Sequence, residues 1–584
     1  MRINCVKVSN FRNIDGVVVA FNPNCNYIIG ENNLGKSNFL SLLTIVCNGK
    51  GFDEKDFADT EKPIDIEMEI QLSSSEQGFF GDNFSPDDAS MLKIRYYQTI
   101  KDAYPTIVSL DSNESIPSKS IRKINFLKYE TTSIPNKELR IDSQKGVGLL
   151  ISGMIDRFVT DDTIAFLNEE HVSGATSFIN ERLNKIRSFR DHSIIATATP
   201  NPADVIKSLL YLSDGDRKID AAGHGVQYMT MASINILCQI MELYKSKSIS
   251  FEERLYNDDG KKILPLILAI DEPEVHLHPF LQRSLIGYYK KVLQNEDAAF
   301  VELLKDCFGI DGISGQLIIV THSTDALVGD YRNLIRFYRY DDKIVTVSGY
   351  NLRPNTEAGA SNEGRITAGD EKHLIMRFPE IKEAFYAKCA ILFEGETEFG
   401  CIYAFADKLG IPLDDYGICA INAKGEKSIK PLRNLLALFG VPSIAVYDGD
   451  VQEDDSVSDD EFYTTEPCFE VEIVKTLFDN GKATLVREIA LELDSNAPFC
   501  NLDQNYVRKE FEKIGADISS FTPKSLSEAD ANNRDEFCSM YSAWFMKKKG
   551  ILLGRIIGEK LTADLIPDCY ADAIKKAQEV AVNA

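Results

Sequence analysis

No CxxC pair occurs among the 12 cysteines of this chain, which excludes a zinc ribbon and a dithiol redox site. Cysteines scattered in this way fit a reducing compartment, where they act as small buried apolar residues. No apolar run approaches the ~20 residues that a membrane span requires. The longest, ILPLILAI, covers residues 263–270. The opening MRINCVKVSNFRNIDG has no continuous apolar stretch of the secretion-signal kind, so a cytoplasmic protein without membrane contact is expected. Positive charge is also in deficit, with 64 Lys and Arg against 89 Asp and Glu, a net charge of −25. That argues against a passive nucleic-acid coat, which is ordinarily basic. An enzyme that grips DNA through local basic patches or bound metal remains compatible with it. Clusters of aromatic and basic residues are few, so base-specific readout is not expected. There is no internal repeat and no long charged heptad run, which excludes extended coiled-coil arms.

What is present falls into segments. At 584 residues the chain has room for several domains. Residues 1–150 hold short alternating strands with one helix opening at Lys36. Residues 151–215 read as a helical insertion, a candidate dimerisation element, and residues 216–370 alternate helices with buried strands before a small, polar linker, NTEAGASNEGRITAGDEK (355–372). In residues 371–584 strand and helix signals alternate again: CAILFEG, a helix to Leu409, GICAIN, IKPLRNLLALFG, then SIAVYDGD. That order predicts a parallel sheet with crossover helices, an α/β fold.

The stretch NYIIGENNLGKSNFLSLL carries Gly30-x-x-Asn33-x-Gly35-Lys36-Ser37 between an apolar strand and an apolar helix. Glycines there let backbone N–H groups converge on phosphate oxygens at a helix N-terminus. Lys36 reaches the outer phosphates and the Ser37 hydroxyl binds Mg²⁺ in this reading. KKILPLILAIDEPEVHLHP ends an apolar strand in Asp271-Glu272: Asp271 suits the magnesium shell, Glu272 the attacking water. LIIVTHSTDAL ends a third strand at His322. A lone histidine after a strand is ordinarily structural; with the other two elements in order it is read as a γ-phosphate contact. These motifs resemble the ATP-binding-cassette (ABC) ATPases of the SMC-like branch, over residues 1–350. The resemblance implies ATP held between two heads, hence at least a dimer, with a signature motif from the second copy. AAGHGVQYMTMASINIL, with Gly223, Gly225 and Gln227 before a helix, is the candidate signature, departing from the family's serine-led form; LSDGDRK (212–218) is the other. NFRN (10–13) matches a family element that places Arg12 near the nucleotide.

Glu394-Gly395-Glu396-Thr397-Glu398 puts three carboxylates in five residues at the end of a buried strand, and Asp448-Gly449-Asp450 ends another about 50 residues on. Strand C-termini of a parallel sheet open on one edge, so Glu394, Asp448 and Asp450 are expected to converge. Ionised carboxylates in a shared crevice require a cation, and hard divalent ions, Mg²⁺ or Mn²⁺, prefer oxygen ligands. Glu396 and the acidic run 451–461 are expected to be solvated. The pattern resembles the Toprim fold, and an ABC head followed by Toprim resembles the OLD (overcoming-lysogenization-defect) nucleases, including Gabija nuclease subunits and some retron-associated effectors. That resemblance implies a two-metal site. Glu394, Glu398, Asp448 and Asp450 are then first-site ligands or base, and of Glu466, Glu470 and Glu472 the last two fit best, one or both serving the second metal. It also implies a transition-state lysine among Lys547, Lys548 and Lys549, with Lys549 preferred because it stands directly before a helix pattern. At INAKGEKSIK (421–430) the family often has paired glycines; here Lys424 interrupts them.

The expected function is an ATP-regulated, divalent-metal-dependent DNA endonuclease, with antiphage defence implied by the resemblance alone. The alternative is a non-cutting SMC-like ATPase that holds or signals on DNA, its carboxylates structural. A strand-passing topoisomerase would need a tyrosine on a separate DNA-binding module, and none is evident. Expected partners are DNA, a second or further copies of the chain (dimer or tetramer), and a helicase or a reverse transcriptase with its RNA.

Overall fold

The computed structural model describes residues 1–81, 87–130, 138–141, 143–158, 177, 213–214, 217–218, 223–354, 365–451, 458–502, 504–515 and 524–583. The chain divides into two compact units: Met1–Gly329 with Asn333–Phe337 and Ile344–Thr346, and Asp330–Arg332 with Tyr338–Lys343 and Val347–Ala584. Among the described residues no helix is long and apolar enough to cross a membrane.

The first unit contains two sheets. One is antiparallel and five-stranded, in the order Val18–Ala20, Arg2–Ser9, Ile64–Gln71, Met91–Gln98, Thr106–Ser109. Ile64–Gln71 and Met91–Gln98 alternate buried and partly exposed residues along their length, the period-2 signature of a sheet with one covered face. The other sheet is seven-stranded, and its central strands are parallel: Lys261–Asp271 pairs with Gly312–Val320, which pairs with Cys25–Ile29, which pairs with Leu334–Tyr340. Ile263–Ile270 is buried without interruption, as expected where both faces of a parallel sheet are covered. Register places Asp271 opposite Val320 and Val320 opposite Ile28, so three strand ends lie level on one edge.

In the second unit four parallel strands run in the order Ile418–Asn422, Cys389–Phe393, Ser443–Tyr447, Glu461–Tyr463. The helices Glu396–Lys408 and Glu426–Leu438 are the crossovers. The chain leaves Cys389–Phe393 toward one side and then crosses back past it. The switch point, where an open α/β sheet presents its crevice, therefore lies between Cys389–Phe393 and Ser443–Tyr447. This is the α/β architecture expected for an ABC-type head followed by a Toprim sheet. Helices Phe469–Asp479, Arg534–Lys547 and Asp568–Asn583 complete the core around fully buried Trp544 and Tyr570.

One helix pair positions the site. Helices Glu396–Lys408 and Ile551–Lys560 run parallel: Gly550 N–H donates to Thr397 Oγ1 at 3.0 Å at one end, and Lys408 Nζ donates to the carbonyls of Gly558, Glu559 and Leu561 at the other. Glycines make the approach possible. A Cβ on Gly554 would stand 1.9 Å from Thr397 O, and one on Gly400 2.6 Å from Ile551 O.

Two expectations need adjustment. The linker read over 355–372 ends sooner, because a helix, Ala368–Ile381, begins within it. Thr367 Oγ1 caps the Asp370 N–H at 3.3 Å, and Asp370 and Glu371 sit in the first turn, where the helix dipole favours acids. Of the insertion read over 151–215, Gly146–Phe158 begins as a helix and Ser213–Asp214 pairs with Arg217–Lys218; the remainder lies outside the described residues, apart from 177.

Gly554→Ala is expected to destabilise the second unit by about 1–3 kcal/mol, the usual cost of overpacking. A lowered melting temperature with the first unit's nucleotide binding intact checks it; an unchanged melting temperature contradicts it.

Candidate nucleotide and carboxylate sites

The level strand ends of the first unit carry the phosphate-loop chemistry. After Cys25–Ile29 the chain turns through Gly30 (φ 138°), Asn33 (φ 64°) and Gly35 (φ 80°) into the helix Lys36–Cys47. Gly30 has no substitute: a Cβ there would lie 2.2 Å from Phe337 O. Lys36 is 5% exposed and donates to Gly30 O at 2.8 Å and Glu31 O at 2.5 Å. Burial lowers its pKa to about 8 despite the opposing pull of Glu272, Asp271 and Glu31. Ser37 Oγ lies 3.4 Å from Asp271 Oδ1, the pairing a shared Mg²⁺ shell needs. Lys128 Nζ stands 3.7 Å from Asp271. His322 Nε2 is 3.9 Å from Glu272 Oε1, and burial together with Lys36 lowers the imidazole's pKa, so it is neutral near pH 7. Arg12 is held by Asp56 Oδ1 at 2.8 Å and by Asn38 Oδ1 at 2.8 Å, one residue from Ser37. Gly223 is the N-cap of the helix His224–Lys245, and Gly225 lies in that helix's first turn.

In the second unit the switch point brings the predicted carboxylates together. Asp448 N–H donates to Glu394 Oε1 at 3.0 Å, which joins the ends of the two adjacent strands directly. Phe469 N–H donates to Asp448 Oδ1 at 3.3 Å. Gly449 permits the turn, since a Cβ there would be 2.5 Å from Thr464 O. Burial, then Glu394, Glu470 and Asp450, raise the Asp448 pKa to about 8. Glu394 is raised as well, by burial first and by Glu426 and Asp450, while Lys549 opposes the shift. Glu398 is 6% exposed, and burial, then Glu470 and Asp448, raise its pKa well above the carboxylate range. Glu470 Oε1 accepts from Thr397 Oγ1 at 2.7 Å, and Thr397 in turn accepts from Gly550 N–H. Asp450 and Glu396 are exposed.

Other predicted residues stand apart. Both Glu472 oxygens are engaged by the 464–466 turn: Thr465 Oγ1 lies 2.8 Å from Oε1 and 2.7 Å from Oε2, and Oε2 also accepts from Glu466 N–H at 2.8 Å. Glu466 pairs with Lys475. Lys548 pairs with Asp494 at 2.9 Å and Lys547 stands 3.9 Å from Glu510, whereas Lys549 acts on Glu394. Lys424 reaches Glu380 at 2.6 Å. Residues 452–457 of the acidic run lie outside the described residues. Sequence reasoning missed Thr397, Thr464 and Glu274, all neighbours of predicted residues whose roles are tertiary hydrogen bonds.

Among the described residues no three His, Cys, Asp or Glu groups are drawn close enough to hold an ion as they stand. By chemistry the donors still suit a hard divalent cation: Glu394, Asp448, Asp450, Glu398 and Glu470 offer only oxygen, and burial followed by the neighbouring acids raises the Asp448 pKa.

An ABC-type phosphate site on one sheet and a switch-point carboxylate cluster on another define a two-part ATPase and Toprim protein. Residues 1–147 and 160–326 match the AAA ATPase domain family, and the chain belongs to that family. Residues 385–450 match the Toprim domain of overcoming-lysogenization-defect-like proteins, in the order expected from the motifs. The chain is similar to the Old nuclease of Escherichia phage P2, 24% identical over 499 residues that make up 77% of each protein. It is 40% identical to the DNA replication and repair protein RecF of Chlamydia abortus over 52 residues, 9% of this chain and 14% of that one. The solved C-terminal region of the Xanthomonas campestris pv. campestris OLD protein aligns with 34% of this chain and 97% of its own, at 18% identity and TM-score 0.25.

Two outcomes follow from these geometries. Lys36→Ala is expected to weaken ATP binding by about tenfold to a hundredfold, the worth of charge-assisted hydrogen bonds to phosphate, as read by fluorescent-nucleotide titration. Asp448 has a folded pKa of about 8 against an ordinary 3.8, so between these values the folded chain binds more protons than the unfolded one. Its contribution to stability is therefore present below the lower value and lost as pH rises. At pH 8 without metal, Asp448→Asn should raise the melting temperature by roughly 2–4 °C, about 1 kcal/mol in a unit of this size. The variant should also lose much of the stabilisation that Mg²⁺ gives the wild type; a melting temperature below wild type at pH 8 would contradict the repulsion.

Proposed function

We propose that this protein is an ATP-regulated, divalent-metal-dependent DNA endonuclease acting in antiphage defence. The observation that carries the reading is the Glu394–Asp448 junction, where the Asp448 N–H ties the two strand-end acids together at the sheet's switch point and burial raises the pKa of both. The similarity to the Old nuclease and the match to an OLD-like Toprim domain support it.

Glu394, Asp448 and Asp450 hold the first cation in this reading, and Glu470 contributes to the second site. When bound, the cations supply Lewis-acid stabilisation of the attacking and leaving oxygens of a phosphodiester. Glu394, turned toward Asp448 by its backbone N–H, is oriented rather than free to swing. Lys549 brings a positive charge to the site for the phosphorane-like transition state. Backbone contact, not base reading, selects the substrate, so binding is expected to be salt-sensitive. In the first unit Lys36, Ser37 and Asp271 bind nucleotide and its metal, Glu272 acts on water, and neutral His322 contacts the γ-phosphate. Nucleotide state regulates cutting through association of copies of the chain.

The test is nicking of supercoiled plasmid across a titration of Mg²⁺, Mn²⁺ and ATP. Asp448→Ala is expected to abolish nicking with ATP binding retained, and Lys549→Ala to slow it about a hundredfold. Lys547→Ala should cut at close to the wild-type rate. Undiminished cutting by Asp448→Ala rejects the site, and ATP turnover with no nicking under any metal favours the non-cutting ATPase instead.

A further inference from the structure

The segment between the second strand-end motif and its following helix makes contacts that the ATPase reading above does not use. Glu274 Oε1 accepts from His322 N–H at 2.6 Å, and its Oε2 accepts from fully buried Thr321 Oγ1 at 2.8 Å. The loop carrying His322 is tied to the same region twice more: Ser323 Oγ donates to Gln282 Oε1 at 2.8 Å, and Arg283 meets Asp325 at 2.7 Å. On its other flank the segment meets a different element. The His276 ring stacks on Tyr228 with centroids 4.6 Å apart and planes 26° apart, and Tyr228 lies near the start of the helix His224–Lys245.

The backbone is constrained between these contacts. Glu272 (φ 54°) and His276 (φ 62°) are non-glycine residues in the left-handed region, and Glu272 also precedes a proline, which restricts it further. Such residues persist only where their surroundings over-determine them, characteristically at working sites. The result is two carboxylates, two residues apart, aimed at the two faces of one histidine residue. Glu272 approaches the ring, and Glu274 holds the backbone N–H.

We propose that Glu274 is a positioning residue for ATP hydrolysis. It fixes the His322 loop and, with the His276–Tyr228 stack, couples that loop to the N-terminal turns of the helix His224–Lys245. This rests on reading the 30–37 loop as an ATP site. A carboxylate accepting two hydrogen bonds from consecutive residues sets the peptide orientation and so the position of the imidazole. The 272–278 segment is then a clasp that moves the signature-bearing helix whenever nucleotide moves His322.

Two variants of the full chain separate position from bulk. Glu274→Gln keeps both bonds, its amide oxygen accepting from His322 and its amide N–H donating to Thr321 Oγ1. Glu274→Met keeps the volume and removes both. The glutamine variant should turn over ATP within about threefold of wild type. The methionine variant should lose about tenfold or more in kcat, with fluorescent-ATP Kd within about threefold, the signature of an interaction that matters in the transition state. Should the methionine variant not fold, Thr321→Val, which deletes one of the two bonds, takes its place with the same kcat-against-Kd criterion. Hydrogen exchange supplies a readout without turnover. A non-hydrolysable ATP analogue should protect residues 224–230 in wild type and fail to do so in His276→Leu. Wild-type turnover by the methionine variant, an equal loss in the glutamine variant, or unchanged protection in His276→Leu would overturn the assignment. Absence of ATP turnover in the wild-type chain would instead overturn the ATP-site reading itself.

Discussion

Carboxylates that share a crevice repel, and the second unit is organised around containing that repulsion. Its central device is small: the backbone N–H of Asp448 donates to Glu394 across the switch point. That bond fixes Glu394 with a peptide group, Phe469 N–H does the same for Asp448, and burial together with the neighbouring acids raises the Asp448 pKa to about 8. The parallel helices Glu396–Lys408 and Ile551–Lys560 bring their N-terminal ends to the same place, so two positive dipole ends and Lys549 face the acids. The glycines at 400 and 554 serve electrostatics as much as packing. Without their close approach, Gly550 N–H would not reach Thr397, nor Thr397 be fixed to donate to Glu470.

The two units solve different chemical problems with one geometrical rule. In each, side chains that do chemistry follow the C-terminal ends of neighbouring parallel strands, and backbone register, rather than side-chain attraction, sets their spacing. The first unit gathers a lysine and helix N-terminus to receive negative phosphate; the second gathers acids to receive positive ions. Buried strands make both possible, because a rigid apolar stem fixes the place of the charged residue that follows it.

That rule also explains what could be read from the amino-acid order. Gly30, Asp271, His322, Glu394 and Asp448 each stand at or just beyond the end of an apolar run, with Lys36 one glycine turn further on, and apolar runs ending in chemistry are visible without a structure. The start of the helix at Ala368 was legible too, from Thr367 and the acids behind it, but the surrounding small polar residues outweighed that signal. Contacts between distant elements left no local mark. Nothing near Glu472 says that it caps the 464–466 turn, and Glu274 is separated from Thr321 by 47 residues. The resemblance names Glu398 as a ligand, but nothing local marks its burial, which depends on helices that arrive about 70 and 150 residues later.

The three adjacent lysines show how a strongly acidic chain can still offer charge to a polyanion. In sequence Lys547, Lys548 and Lys549 are equivalent cations before a glycine. In the folded unit Lys548 is drawn to Asp494 and Lys547 lies near Glu510, so their charge is largely spent on the protein itself. Lys549 follows the end of its helix, and the turn at Gly550 (φ 144°) directs the chain back toward Thr397. Its charge opposes the upward shift of the Glu394 pKa. Net charge is therefore a poor guide here: 25 excess negative charges distributed over the surface are screened beyond about 10 Å at ordinary ionic strength, whereas one lysine and two helix termini at a shared crevice act within that length. Recognition of a phosphate backbone by such a protein is decided by the local field, and the local field is decided by which acids have already claimed the neighbouring lysines.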